Sequence, residues 1–150
     1  MTLDSMTPPT IEDFPFRATE KLRFGDMDRQ GHVNNVAYMS FFETGRVELL
    51  YDVKAPIIPS HMAFVVAKIA IEFHSEMLWP GEVLIGTRIG RIGRSSASIE
   101  QAIFQSGRCC ASADSVVVLT DQTTRRSTPL PEQTIAAFKA GLAPSAGQDA

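Results

Sequence analysis

Apolar and polar residues alternate along much of the chain with the period of a β-strand. From residue 63 to residue 73 the odd-numbered positions are apolar, whereas the even-numbered positions include Lys68 and Glu72. A period of two predicts a strand with one buried face. The same pattern predicts four further strands, over residues 16–24, 83–91, 97–103 and 110–120.

Short turns separate the later strands, at residues 79–81, 93–95 and 106–107. Strands joined by such short turns must pair antiparallel, because a parallel pair needs a crossover of about a dozen residues. The last four strands are therefore expected to form one antiparallel sheet.

One long segment departs from this period. Residues 36–51 carry apolar side chains around most of a helical projection, and Asn34 or Asn35 can cap the start of such a helix. We expect this helix to be buried on most sides and wrapped by the sheet. A shorter helix is predicted over residues 129–140, and the fold class is α+β.

Length and composition indicate a single domain of 150 residues. We expect an N-terminal arm over residues 1–13, the folded domain over 14–140 and a flexible tail over 141–150.

The formal charge of −3 argues against a nucleic-acid partner. The sequence has no run of about 20 apolar residues, the length that a membrane-spanning helix needs, so we predict no membrane insertion. The adjacent Cys109 and Cys110 are poorly placed to form a disulfide with each other, and we expect a cytoplasmic location.

The segment from Arg23 to Arg46 concentrates polar chemistry between a strand and a helix start. It reads RFGDMDRQGHVNNVAYMSFFETGR. A helix N-terminus offers free amide groups and a partial positive charge, which can polarise a carbonyl oxygen. A carboxylate on the entry loop can then attack that carbonyl or activate water.

The segment resembles the hotdog-fold acyl-CoA thioesterases of the 4-hydroxybenzoyl-CoA thioesterase type. It is most similar to the long-chain branch, whose loop reads D-x-D-x-x-G-H-V-N-N-x-x-Y followed by F-F-E-x-x-R. The matching residues run from Asp26 to Arg46. The resemblance implies a hotdog fold over residues 14–140, in which an antiparallel sheet wraps around a long central helix, and hydrolysis of an acyl-CoA to a carboxylic acid and CoA.

The resemblance also implies roles for individual residues. Asp28 would be the catalytic carboxylate, acting either as nucleophile or as general base. The oxyanion would be held by a backbone amide near Asn35, with Asn34 or Val36 as further candidates. His32 either donates a proton during the reaction or only pins the loop.

Asp26 is expected to be structural, since a loop aspartate can bond the amides of its own turn. The further substrate-binding candidates are Gly31, Asn34, Val36, Tyr38, Ser95 and Ser96. Exposed arginines, with Arg88 among them, are candidates for the CoA phosphates, because guanidinium groups bind phosphate well.

The family resemblance implies a homodimer, and a homotetramer is expected, with acyl-CoA as substrate and the second subunit completing the site. We predict no metal, because His61 and His74 lack partners at ligand spacing. We predict no other cofactor, since CoA is part of the substrate. Two alternatives stay open: a thioesterase acting on an acyl-carrier protein, and a hotdog protein that binds acyl-CoA without cleaving it.

Overall fold

The computed structural model describes residues 8–140. Its regular elements are β1 (Phe16–Lys21), α1 (Asn35–Leu50), β2 (Met62–Phe73), β3 (Glu82–Ile92), β4 (Ser96–Gln105), β5 (Arg108–Asp121) and α2 (Glu132–Ala140). The five strands form one antiparallel sheet in the order β1-β3-β4-β5-β2. The α+β prediction of a sheet wrapped around a long helix is confirmed. Part of the predicted arm, residues 1–7, and the whole predicted tail, residues 141–150, lie outside the described residues.

Tight turns set the register of the later strands. Ser106 and Gly107 join β4 to β5, and both have positive φ values, 53° and 77°. Two central residues with positive φ match the right-handed twist of the strands that they connect. The pairing of Gln105 with Arg108 follows directly from this two-residue loop.

The core lies between α1 and the concave face of the sheet. Alternate residues of three strands point toward the helix and are fully buried: Val83, Ile85, Ile89, Ile99, Ile103, Val117 and Leu119. From the helix, Phe42 is fully buried and Tyr38 is 3% exposed. The burial of these side chains provides the main driving force for seating α1 on the sheet.

The helix is less enclosed than its composition predicts. One face is buried, but Val36, Met39 and Val47 on the other are 75%, 43% and 46% exposed. The expectation of burial on most sides is therefore wrong for the single chain. The physical reason is that one five-stranded sheet covers only one side of α1.

The predicted single buried face of β2 is also wrong. A register shift between Val66 and Lys68 changes which side chains face α1. Before the shift Val66 pairs with the buried Val117, and after it Ile69 pairs with the buried Ser115. An extra residue in one strand reverses the alternation, which no period-two pattern can reveal. As a result, even-numbered positions face inward first and odd-numbered positions afterwards.

The first predicted strand is shorter than expected. β1 ends at Lys21, and residues Phe24–Asp26 form a short 3-10 turn instead. Phe24 is 73% exposed and stacks edge-on against Trp79, with ring centroids 5.4 Å apart. The chain leaves the sheet early because this turn carries the polar loop toward the start of α1.

Gly45→Ala should destabilise the fold. A Cβ atom at Gly45 would lie 2.7 Å from Gln101 Nε2 and 2.8 Å from Thr87 Oγ1. Overpacking of this kind costs ~1–3 kcal/mol, more than the ~1 kcal/mol that alanine gains over glycine in a helix. Urea denaturation should therefore show a lower free energy of unfolding. Gly25→Ala is the matched control, because no atom lies within 4 Å of its added Cβ.

Candidate active site

The loop between β1 and α1 is held by its own backbone. Asp28 N–H donates to His32 O at 2.8 Å, and Gly31 N–H donates to Asp28 O at 3.1 Å. Met27 and Val33 form an isolated antiparallel bridge at the base of this turn. Gly31 has φ +85°, a conformation that glycine adopts without strain. Gly31 therefore helps to shape the loop, and its contact with substrate stays a prediction.

The carboxylate of Asp28 has one restrained oxygen and one free oxygen. Oδ1 accepts the N–H groups of Gln30 at 2.8 Å and His32 at 3.2 Å. Among residues 8–140, no group bonds to Oδ2. The side chain is half-buried. The loop therefore fixes the orientation of the carboxylate and leaves one oxygen able to attack a carbon atom or to accept a proton.

The start of α1 leaves one amide without a partner. Asn34 is the N-cap, and its Oδ1 accepts Val36 N–H at 2.9 Å. Asn34 N–H donates to Asp26 O, and Ala37 N–H donates to Asn34 O. In the described part of the chain only the N–H of Asn35 among these four lacks an acceptor. Asn34, not Asn35, is therefore the N-cap of α1. The backbone N–H of Asn35 is the hydrogen-bond donor that stays available at the helix start.

His32 pairs with a residue that the sequence analysis missed. His32 Nε2 lies 2.6 Å from Glu76 Oε2, and both side chains are partly exposed. Glu76 lies in the connection from β2 to β3. That connection is tied to the loop because Val33 N–H donates to Met77 O at 3.0 Å. Glu76 is distant from the motif in sequence and no pattern marks it, so only the tertiary contact reveals it.

Tyr38 is a core residue next to this cluster. Its side chain is 3% exposed, its ring packs edge-on against Phe73 at 5.1 Å, and its hydroxyl donates to Ser75 O at 3.4 Å. Burial raises the pKa of the Tyr38 hydroxyl, with smaller contributions from Cys110 and Glu76. These contacts support a structural role, whereas the predicted substrate contact of Val36 fits a side chain that is exposed at the helix start.

Ser95 and Ser96 lie at the opposite end of the sheet from Asp28. Lys21, just before the loop, pairs with Glu82 at the start of β3, whereas the serines follow the end of that 11-residue strand. A strand of this length spans roughly 35 Å. One chain therefore does not bring the predicted serines together with Asp28.

Two other groups are committed to structural roles. Arg88 Nε donates to Glu100 Oε1 at 2.7 Å, and both side chains are 14% exposed. A paired, largely buried guanidinium is poorly available to phosphate. Burial, with a smaller effect of Cys110, raises the pKa of the Cys109 thiol to about 11, so this thiol stays protonated and unreactive.

Within residues 8–140, no group of three or more His, Cys, Asp or Glu side chains is arranged to hold a metal ion. In the same part of the chain, no helix is long and apolar enough to cross a membrane.

Comparison with known proteins identifies the class. A family model described as the thioesterase-like superfamily matches residues 22–138. The chain therefore belongs to this superfamily, and its architecture is the hotdog fold of the structurally similar thioesterases. It is 26% identical over 128 residues to the acyl-CoA thioester hydrolase YbgC of Escherichia coli O157:H7, covering 83% of this chain and 96% of that protein.

The fold of this chain agrees with the folds of several solved structures over nearly its whole length. The PA5185 protein of Pseudomonas aeruginosa PAO1 superposes with a TM-score of 0.81 at 27% identity, covering 91% of this chain and 97% of that one. A thioesterase of Thermus thermophilus, solved with coenzyme A and Zn, gives 0.75 at 32% identity, covering 86% and 95%. The family model, the YbgC relative and the Thermus thioesterase support thioester hydrolysis as the class of reaction.

Asp26 supports the loop, as expected from sequence. Its Oδ2 accepts Arg23 N–H at 2.8 Å and its Oδ1 accepts Arg23 Nη2 at 3.0 Å. Burial alone would raise the pKa of Asp26, but the backbone and side-chain bonds from Arg23 outweigh it. The net result is a pKa below the ordinary value of 3.8.

Asp26→Asn should lower the free energy of unfolding at pH 7. It should also make that free energy change less as the pH falls into the acid range. Because the folded pKa is depressed, the contribution of Asp26 is present above pH 3.8 and is lost as the pH falls through the folded pKa. Urea denaturation between about pH 2.5 and pH 7 measures this dependence. Glu48→Gln, a change at an exposed position of α1, is the control. Equal acid sensitivity of the wild type and Asp26→Asn would contradict the assignment.

Proposed function

We propose that the protein hydrolyses acyl-CoA thioesters to a carboxylic acid and CoA, with Asp28 as the reacting carboxylate. Two observations carry the proposal: within the described residues, one oxygen of Asp28 in the loop before α1 has no hydrogen bond, and the N–H of Asn35 at the first position of α1 has no acceptor. The printed names of the YbgC relative and of the coenzyme A-bound Thermus thioesterase support acyl-CoA as substrate.

The carboxylate can act in two ways. As a nucleophile, Oδ2 bonds to the acyl carbon, the C–S bond breaks, and water then hydrolyses the mixed anhydride. As a general base, Oδ2 takes a proton from water while the water oxygen attacks the acyl carbon; the C–S bond of the tetrahedral intermediate then breaks and the CoA thiolate leaves. Single turnover in ¹⁸O-labelled water separates the routes, since only the anhydride route can place the label in Asp28. Either route uses water as the second reactant, so we propose no metal or redox cofactor.

A backbone N–H at the start of α1 is available to donate a hydrogen bond to the oxyanion that develops during the reaction. We assign this role to the Asn35 N–H, because the other three amides of the first turn already have acceptors. The partial positive charge of the helix N-terminus adds to this stabilisation. We assign to His32, whose Nε2 contacts Glu76, the transfer of a proton to the CoA thiolate as it leaves; in the alternative, His32 only pins the loop.

Asp28→Asn should lower kcat by about 10²–10⁴-fold on a good acyl-CoA substrate, since the amide keeps the shape but cannot supply the charged oxygen. Release of CoA, followed with a thiol reagent, measures the loss. Asp13→Asn is the matched control: its carboxylate accepts the Thr10 N–H in a separate turn. Wild-type turnover in Asp28→Asn would overturn the mechanism, and tight binding of acyl-CoA by the wild type without cleavage would favour the non-catalytic alternative.

His32→Gln should lower kcat for acyl-CoA by about 10²-fold, but should have little effect on an aryl thioester whose leaving thiolate needs no proton. Glu76→Gln should show the same contrast to a smaller extent, because it removes only the partner of the imidazole. Steady-state kinetics on matched alkyl and aryl thioesters provide the test. Equal losses on both substrates would show that His32 only pins the loop.

We also propose a homodimer formed through the free edge of β2, with a tetramer as a higher assembly. Within residues 8–140, β2 has a sheet partner only on its β5 side, and Val65 and Val66 at its middle are each 47% exposed. A second copy can pair with this edge and cover the exposed face of α1. Such pairing would satisfy the unpaired backbone groups that make an exposed edge strand unfavourable.

Light scattering should therefore give twice or four times the chain mass of 16.4 kDa. Val66→Lys should shift the protein toward monomer, because a twofold axis near the middle of β2 places the two added charges close together. Leu84→Lys, an exposed position on β3 away from this edge, is the control. A monomeric wild type, or a Val66→Lys dimer of unchanged stability, would contradict the proposed interface.

A further inference from the structure

Arg46 is a charged side chain that the fold of a single chain leaves without a partner. It lies in the C-terminal half of α1 and is 6% exposed. Its Nη1 is buried and has no hydrogen-bond acceptor among residues 8–140. No ion pair of the described residues includes Arg46. In the same part of the chain Gln101 Oε1 and Ser115 Oγ are also buried without a partner, but neither carries a charge.

A buried charge of this kind is unfavourable unless an opposite charge meets it. Burial lowers the pKa of the Arg46 guanidinium, and the charge of Glu43, three residues earlier on α1, opposes this effect. A guanidinium nevertheless stays protonated in proteins. Because an uncompensated charge in an interior is strongly destabilising, a carboxylate supplied from outside the chain would remove this cost.

Arg46 faces the open edge of the sheet. It belongs to a row of side chains that are spaced four residues apart on one side of α1: Tyr38, Phe42, Arg46 and Leu50. At one end of the row the Tyr38 ring packs against Phe73, the last residue of β2. At the other end Leu50 lies in the buried cluster against which Phe64 packs, near the start of β2. Arg46 therefore lies beside the middle of β2, the strand whose outer edge has no partner in residues 8–140.

An acidic residue lies on the exposed face of α1 next to Arg46. This face carries a stripe of four side chains at helical spacing: Val36, Met39, Glu43 and Val47. Glu43 is the only charged member of the stripe, and the three apolar members are between 43% and 75% exposed. Neighbouring exposed apolar side chains are typical of a protein–protein contact. The stripe thus offers a second helix an apolar surface that contains one carboxylate.

Glu43 and Arg46 are placed symmetrically about the centre of the proposed dimer. β2 runs antiparallel to α1, because the Tyr51 ring packs against Phe64 near the start of the strand, whereas residue 38 contacts its last residue. The middle of β2 therefore lies beside the point halfway between residues 38 and 51, which falls between residues 44 and 45. A twofold axis through the middle of β2 relates two antiparallel copies of α1 about this point. Positions 43 and 46 are equally far from it, so Glu43 of one copy lies opposite position 46 of the other.

From this symmetry we propose that Glu43 of each subunit forms an ion pair with Arg46 of the partner subunit. The inference rests on the proposed homodimer and is independent of the proposed hydrolysis. Two identical pairs form, one on each side of the axis, and each gives the buried guanidinium the carboxylate that its own chain does not supply. A slip of the two β2 edges separates both pairs and leaves unpaired charges in the interface. The pairs therefore select one register from those that backbone pairing of the edges allows.

Glu43→Lys should weaken the homodimer, because it places two cations opposite each other at both pairs. Glu43 is exposed, so the change should not prevent folding. The Kd of the dimer, measured by analytical ultracentrifugation, should rise by about 10²-fold or more. Arg46→Glu should have a similar effect, since two carboxylates then oppose each other. Glu48→Lys is the matched control: it reverses an exposed carboxylate of the same helix, on the side that faces Arg17 of β1.

Mixing the two variants separates a contact between subunits from a contact within one chain. In a dimer of one Glu43→Lys chain and one Arg46→Glu chain, each pair again joins a cation to an anion. Co-expression in equal amounts should therefore give about 90% mixed dimers or more, whereas random pairing gives about half. Native mass spectrometry of chains with tags of different mass measures this fraction.

Arg46→Met provides a second route if Arg46→Glu does not fold alone. Methionine removes the charge and still fills the buried space, so the chain should fold. Adding Arg46→Met to the Glu43→Lys chain removes the repulsion between the subunits. The Kd of the dimer should then fall by about tenfold or more from that of Glu43→Lys alone. An unchanged Kd would contradict the proposed pair.

The outcomes separate the ion pair from the interface on which it depends. A monomeric wild type would overturn the homodimer and the ion pair together. A wild-type dimer that Glu43→Lys leaves as tight as before would overturn the ion pair alone, and so would random pairing of the two charge-reversed chains. Either of these results leaves pairing through β2 standing. The hydrolysis of acyl-CoA is tested separately by the Asp28→Asn variant.

Discussion

The close contact of α1 with the sheet at Gly45 is the constraint on which the rest of the structure depends. Gln101, 1% exposed on β4, donates from Nε2 both to Phe42 O on the helix and to Thr87 Oγ1 on β3. A side chain at position 45 would occupy the space of these groups. The absent Cβ therefore lets a helix and two strands share one buried polar contact, and this contact seats the middle of α1 on the sheet.

The start of α1 in turn determines the chemistry of the loop before it. Asn34 links the two, since its side chain caps the helix while its N–H bonds to Asp26 O. Asp26 is held by Arg23, and Asp28 is held by the amides of its own turn. Because these bonds already exist in the free chain, the carboxylate and the helix amide would need little rearrangement in the proposed mechanism, which is the arrangement that electrostatic catalysis favours.

The same packing leaves the single chain incomplete. One sheet covers one face of α1, so Val36 and Val47 stay exposed, and within residues 8–140 one edge of β2 has no strand partner. Exposed apolar surface together with an open strand edge is costly for an isolated chain. In the proposed dimer, pairing of the two β2 strands would cover part of this surface.

The sequence by itself determined the fold class, the span of α1 and the cluster around Asp28, because these features depend on local periods, caps and neighbours in the chain. It placed Asp28 and Asn35 together since few residues separate them. Tertiary structure alone decided that Glu76 meets His32, that Ser95 lies far from Asp28, and that β2 changes face at Val66. Each of these depends on strand register and on contacts between distant segments, and a local pattern of polar and apolar residues carries no information about either.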